Sequence, residues 1–327
     1  MKRREFMIAL GSTAVWPLPA LGQKAASRTL GILGAGSLEG TRGNFERAQR
    51  RLAEMGYVEG QNLALEYRWA DGHEDRLAVL AADLAQHRVD AITVFTGPSI
   101  AAAKVATTSI PIIFLTGYDP VASGFVASLN RPGGNVTGIA VLNTQVTTKR
   151  LQLLSELVPA AKSIAFLYSS TSIVAGYDRL LTEAVSAADV LGVKLLLVEA
   201  RGPDDFEEAF AKMANAQSNA LLVSADALMI QNRERLVNLV ARQNIPAAYP
   251  LREFAAAGGL VSYGPDYAEA YRQVGDYLGR VLNGETPENL PVQQVTKLEL
   301  VINMKTARAL GLSVPLSLLG RADEVIE

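Results

Sequence analysis

Thr96, Ser99, Thr116 and Asp119 stand just beyond two short apolar runs, 91–95 and 112–115, in loops marked by Gly97-Pro98 and Gly117-Tyr118-Asp119-Pro120. Hydroxyls and a lone carboxylate in such loops hold a small polar molecule by hydrogen bonds; they lack the paired acid and base that bond-breaking chemistry requires. Backbone N–H groups over 98–101, minus the one Pro98 lacks, face the same loop from the start of a helix, so Thr96, Gly97, Pro98 and Ser99 together make a receptor for a carboxylate. The same residue types are ordinary helix caps, and both readings stand on sequence alone. Ser169, Ser170, Asp226, Tyr249 and Glu253 occupy comparable places further on, with Tyr263 near a crossover and Ser37 beyond the first apolar run. Asp226, Glu253 and Asp119 are the carboxylates available to pair with an ammonium group. Asp226 is favoured because it belongs to the other half of the chain, which makes closure depend on both ends of an amino-acid ligand.

Other chemistries find little support. Only two histidines occur, His73 and His87, both near or within the same predicted surface helix, and there is no cysteine, so neither a metal cluster nor a nucleophile–histidine pair is easily assembled. Gly34-Ala35-Gly36 follows a strand as a dinucleotide loop does, but the third glycine of that fingerprint falls at Glu39. Neither a cofactor nor a metal is expected, and no catalytic residue is assigned. Asn135-Val136-Thr137 has the form of a glycosylation sequon and reads more simply as a turn entering a strand.

The elements that must position these residues follow a regular rhythm. Strands are predicted at 29–33, 63–69, 91–95 and 112–115, with helices at 44–55 and 74–86 and a further strand at 136–141, which is half of a doubly wound sheet. The rhythm then repeats: helix 147–157, strand 163–168, helix 175–191, strand 194–198, helix 204–215. Asp90–Thr96 matches Asn219–Ala225 in pattern, and each is followed by a helix and an Ile-Pro pair, Ile110-Pro111 and Ile245-Pro246. The fold expected is therefore α/β, two similar doubly wound lobes with parallel central sheets joined by a multi-crossover hinge. The first lobe takes 29–142 plus about 264–296, and the second 143–263 plus about 297–327. Tyr118, Tyr168, Tyr249 and Tyr263, near predicted loop ends, suit stacking on an aromatic ligand and suit core or hinge packing nearly as well.

The chain has 327 residues, 49% hydrophobic and 20% charged, a globular composition with room for two domains. Its start differs: Lys2-Arg3-Arg4, an apolar run over 7–15, Pro17 and Pro19, then Ala20 and Gly22, which together read as an export signal over 1–22 cleaved near Gly22. Arg3-Arg4 followed by Glu5-Phe6-Met7 is twin-arginine-like, although a general secretion signal has similar parts. With no cysteine for a lipid anchor, the mature protein is expected free in the periplasm, as a monomer. Loss of the signal removes three basic residues and one acidic one, taking the formal charge from −2 to −4. No nucleic-acid partner is expected of such a chain.

Several stretches together carry a family resemblance: Gly56-Tyr57-Val58-Glu59-Gly60-Gln61-Asn62, then Glu66-Tyr67-Arg68-Trp69-Ala70, then 128–138 with its Asn130-Arg131-Pro132-Gly133-Gly134-Asn135, and Arg252-Glu253-Phe254 with Gly258-Gly259-Leu260. With Pro291-Val292-Gln293-Gln294 and the tail Ala322-Asp323-Glu324, the chain resembles, over nearly its whole length, the ABC-transporter substrate-binding family related to tryptophan-binding components. That resemblance implies a type I periplasmic binding protein: two α/β lobes, three crossovers, a ligand trapped between them, and delivery to an inner-membrane ABC permease. Characterised relatives bind aromatic amino acids, but ligand identity does not transfer with a fold. The expected function is capture of a small amino-acid-like or related organic-acid ligand without bond chemistry. The alternatives are an exported sensory module and, less in keeping with two histidines, an α/β enzyme.

Overall fold

The computed structural model describes residues 27–36, 38–141, 143–169 and 177–327; the expected export signal and Ser37 and Ser170 lie outside them. The first sheet has six strands: β1 (Arg28–Gly34), β2 (Leu63–Trp69), β3 (Ala91–Val94), β4 (Ile112–Thr116), β5 (Val136–Val141) and, far along the chain, β11 (Gln293–Val295). Their order is β11-β5-β4-β3-β1-β2, all neighbours parallel. The second sheet holds β6 (Ser163–Tyr168), β7 (Lys194–Glu199), β8 (Ala220–Val223), β9 (Ala247–Tyr249), β10 (Val261–Pro265), β12 (Leu298–Asn303) and β13 (Glu324–Ile326), ordered β13-β12-β10-β9-β8-β6-β7. The order β2-β1-β3-β4-β5 recurs as β7-β6-β8-β9-β10, so the two halves are copies of one topology, as the matched motifs predict. Here β12 departs from the expected parallel pattern by pairing antiparallel with β10. Strand composition records burial on both faces, not chain direction.

Burial explains the apolar runs. Every residue of β3, β4, β5 and β8 is buried, as strands covered by helices on both faces must be. One face of the first sheet is covered by α1 (Leu38–Glu54) and α10 (Tyr267–Leu282), the other by α2 (Leu77–Gln86) and α3 (Gly97–Ala106). In the second sheet α4 (Asn143–Leu157) and α5 (Tyr177–Leu191) cover one face. The other face takes α6 (Phe206–Asn215), α7 (Ala227–Gln231), α8 (Arg233–Arg242) and α9 (Arg252–Ala256).

Three passages link the sheets: between β5 and α4, at Asp266 between β10 and α10, and at 296–297 between β11 and β12. The second and third are tied together. Asp266 caps α10 by accepting the Glu269 N–H at 3.0 Å, and Lys297 Nζ donates to its carboxylate at 2.9 Å. Among the described residues no helix is long and apolar enough to cross a membrane.

Candidate functional site

Strand order reverses at the same place in each sheet, with β1 between β2 and β3 and β6 between β7 and β8. At such a point the connecting helices leave toward opposite faces, and the carboxyl ends of the two strands open a crevice. In the first half the crevice is bounded by Ala35-Gly36 after β1 and Phe95-Thr96 after β3. In the second it is bounded by Ser169 after β6 and by Ser224 to Asp226 after β8. The two crevices face one another closely: a Cβ built on Gly36 would lie 1.8 Å from Nε2 of Gln231, at the end of α7.

On the first side, Thr96 is extended and its Oγ1 accepts the Ser99 N–H at 3.4 Å while sharing a 2.7 Å hydrogen bond with the Ser99 hydroxyl. Ser99 is fully buried, Gly97 is buried, and Pro98 lies in the first helical turn where its missing N–H costs nothing. Both hydroxyls therefore engage in capping α3. Thr116, at the end of β4, accepts the Tyr118 N–H at 3.2 Å, and the exposed Asp119 accepts from Val121 and Ala122 at 2.9 and 3.1 Å, organising the turn that follows.

The corresponding cap on the second side is Asp226. Its carboxylate accepts the Met229 N–H at 3.1 Å, the Ser169 N–H at 2.9 Å and the Ser224 hydroxyl, and thereby fastens the ends of β6 and β8 to α7. Burial raises its pKa, opposed by those same hydrogen bonds. Tyr249 lies inside the core, its ring stacked on Phe254 with centroids 5.0 Å apart, and burial pushes its hydroxyl up in pKa. Tyr263, half-buried, packs among the core residues beneath α4. Glu253, on α9, stands near the second passage, where with burial and Tyr267 it raises the pKa of Tyr271 on α10. The structure thus brings Thr96 and Ser99 to one side of the cleft and Ser169 and Asp226 to the other; Thr116 and Asp119 serve the next loop, and Tyr249 the interior.

Two features near these strand ends have no counterpart among the sequence-derived candidates. One is a row of rings, Phe45, Phe95, Tyr271 and Tyr267, with successive centroids 5.9, 5.4 and 6.4 Å apart, running from α1 past the end of β3 to the second passage. Three separate segments supply it, so no local spacing shows it. The other is Arg150, in α4, 1% exposed and the largest fully buried side chain. Its Nη1 donates to the Val223 carbonyl at the end of β8 and its Nη2 to the Thr147 hydroxyl, both at 2.9 Å. In sequence it belongs to Thr147-Thr148-Lys149-Arg150, which reads as a solvated helix face. Among the described residues no group of three His, Asp or Glu side chains is arranged to hold a metal ion.

Two facing α/β halves with a cleft between strand ends, linked by three passages, define a bilobal ligand-binding fold. The model of the ABC transporter substrate-binding protein family matches residues 36–326, and the chain belongs to that family. It is 28% identical over 279 residues to the tyrosine-binding protein of Clostridioides difficile strain R20291, covering 84% of this chain and 78% of that one. Among solved structures it is similar to an ABC domain from Streptococcus pneumoniae in complex with L-Trp: TM-score 0.82, 24% identity, 92% of this chain and all of the other. A ligand-free, open substrate-binding protein from Clostridium difficile matches at TM-score 0.64 with 22% identity, covering 91% of this chain and 99% of that one.

Proposed function

We propose that this protein is the extracytoplasmic receptor of an ABC uptake system: it captures a small amino acid with an aromatic side chain between its two halves, closes around it, and delivers it to an inner-membrane permease. The observation that carries this reading is the ring row Phe95–Tyr271–Tyr267 beside two facing switch-point crevices. An aromatic side chain gains both apolar burial and ring–ring contact there. The tyrosine-binding relative supports the ligand class. The contact between Gly36 and Gln231, and the greater likeness to the L-Trp complex than to the open structure at similar identity, support a closed arrangement.

In this reading the moving bodies are 29–142 with about 266–296, and 143–265 with about 297–327. They rotate about the three passages while each sheet stays packed. The protein acts as a monomer in the periplasm after loss of an amino-terminal export signal and carries out no bond chemistry. Ser169, Asp226 and Thr96 shape the ends of the crevices, and a micromolar ligand needs about 8 kcal/mol from such a cleft.

Calorimetry of the protein cleared of bound ligand, with the twenty amino acids and their organic-acid relatives, is the test, paired with small-angle scattering. Micromolar binding of tyrosine, tryptophan or phenylalanine with a smaller radius of gyration is expected. Tight binding of a non-aromatic ligand, or binding with no compaction, overturns the ligand class or the closure mechanism respectively. Ligand capture without uptake by cells that also carry the permease would mark a sensor instead.

A further inference from the structure

Arg150 is placed where a stable interior does not ordinarily leave an arginine. Its side chain is 1% exposed, and two of its three nitrogens donate to neutral acceptors, the Val223 carbonyl and the Thr147 hydroxyl. Among the described residues Nε has no partner. Among the described residues no carboxylate forms an ion pair with it, and the nearby buried acid, Asp226, is committed to Ser169, Ser224 and Met229. A guanidinium in this setting pays the cost of leaving water without the return that a counter-ion brings. Burial lowers its pKa to about 10, which still leaves it charged at neutral pH. The position matters as much as the charge. Arg150 lies two turns into α4, just after the first passage; its Nη1 touches the carboxyl end of β8, and Tyr267, at the second passage, is close enough to act on it electrostatically. The guanidinium therefore reaches the carboxyl end of β8, one of the two strand ends that bound the crevice of the second half.

From this geometry we infer that Arg150 is the receptor for the ligand's carboxylate, supplied from the second half of the chain, and that the ligand completes a buried cation that has no counter-charge among the described residues. This deepens the amino-acid reading and rests on it for the identity of the ligand. It also reverses the polarity expected from the sequence, in which the start of α3 holds the carboxylate and Asp226 the ammonium group: Thr96 and Ser99 are engaged in the cap of α3, whereas Arg150 offers a full charge and a buried Nε–H with no partner among the described residues. The aromatic side chain then extends toward Phe95 and Tyr271.

The test crosses a protein change with a ligand change. Wild type, Arg150→Met and Arg150→Lys are titrated with tyrosine and tryptophan, with tyramine and tryptamine, which lack the carboxylate, and with acetate and benzoate, which keep little else; unfolding midpoints are recorded without ligand. Wild type should prefer each amino acid to its amine by about 100-fold, the scale of losing a partner from a buried charge pair. That preference should vanish in Arg150→Met and partly survive in Arg150→Lys, with the ligand-free midpoint of Arg150→Met unchanged or higher. If Arg150→Met keeps the preference, or its ligand-free midpoint falls sharply, Arg150 is a structural post and the assignment fails while the amino-acid reading stands. If no amino acid binds but acetate or benzoate raises the midpoint of wild type and not of Arg150→Met, the assignment stands and the amino-acid reading fails. No response of wild type to any of these probes overturns both.

Discussion

Tyr249 and Asp226 show how one residue type serves either a ligand or the fold. The Tyr249 ring is committed to the core, and its buried hydroxyl has no hydrogen-bond partner among the described residues. An orphaned hydroxyl is a cost that phenylalanine does not carry, so Tyr249→Phe should raise stability by about 0.5–1 kcal/mol in urea unfolding and leave ligand affinity within about twofold; a clear loss of affinity would bring Tyr249 back to the cleft. Asp226 is the opposite case, because three donors converge on it. Asparagine keeps one acceptor oxygen and turns an amide toward donors that need an acceptor. Asp226→Asn should therefore lower stability by about 1–3 kcal/mol, readable in the ligand-free protein, before any effect on binding is considered.

Among the elements, α1 and α10 approach closely, and the start of α10 sits on the second passage. Gly275 allows that approach: a Cβ there would meet the Ala48 carbonyl oxygen at 2.5 Å and Arg51 Cβ at 2.8 Å, and an ion pair between Arg51 and Asp276 at 2.7 Å closes the seam. Alanine at 275 gains about 1 kcal/mol of helix propensity but must push apart a backbone, a strain of about 1–3 kcal/mol. Packing wins, so Gly275→Ala should destabilise by about 1 kcal/mol, against what propensity alone predicts. At the start of the same helix, burial by itself would raise the pKa of Asp266, but the Lys297 ammonium and the Glu269 N–H outweigh it and hold the carboxyl below its ordinary value. A lowered acid contributes stability above its unfolded pKa and loses it as pH falls through the folded value, so this contribution should fade below about pH 4. Asp266→Ala should remove that segment of the acid-stability curve and cost about 1 kcal/mol at neutral pH as the cap is lost; an unchanged profile would place the hinge clamp elsewhere.

Across the whole molecule, the halves meet at Gly36 and Gln231, where a larger residue obstructs closing rather than folding. A side chain at 36 would strike the end of Gln231 across the crevices, a contact that the open arrangement of the proposed closing motion does not make. Gly36→Val should thus leave the ligand-free midpoint within about 2 °C while weakening ligand binding roughly tenfold, because only the closed state bears the clash. Equal losses in both measurements would mean that the contact belongs to the fold and not to closure.

Much of the architecture was legible because strands and helices are encoded over short distances. The all-apolar runs of β3, β4 and β8 report burial on both faces, and the matched Asp90–Thr96 and Asn219–Ala225 stretches report a duplicated topology. Other features were not. Helix α1 begins at Leu38 rather than 44, and Gly40 and Gly43 are what weaken the local signal over that first stretch. The antiparallel course of β12 depends on where the third passage delivers the chain. At the site, the sequence by itself determined which loops lie at strand ends, because side-chain pattern and turn chemistry are local. Only tertiary structure decided which of their polar groups are used up as caps, because Phe95 meets Tyr271, and Arg150 meets the end of β8, solely through the crossings of the chain, and a buried charge is recognisable only by what surrounds it.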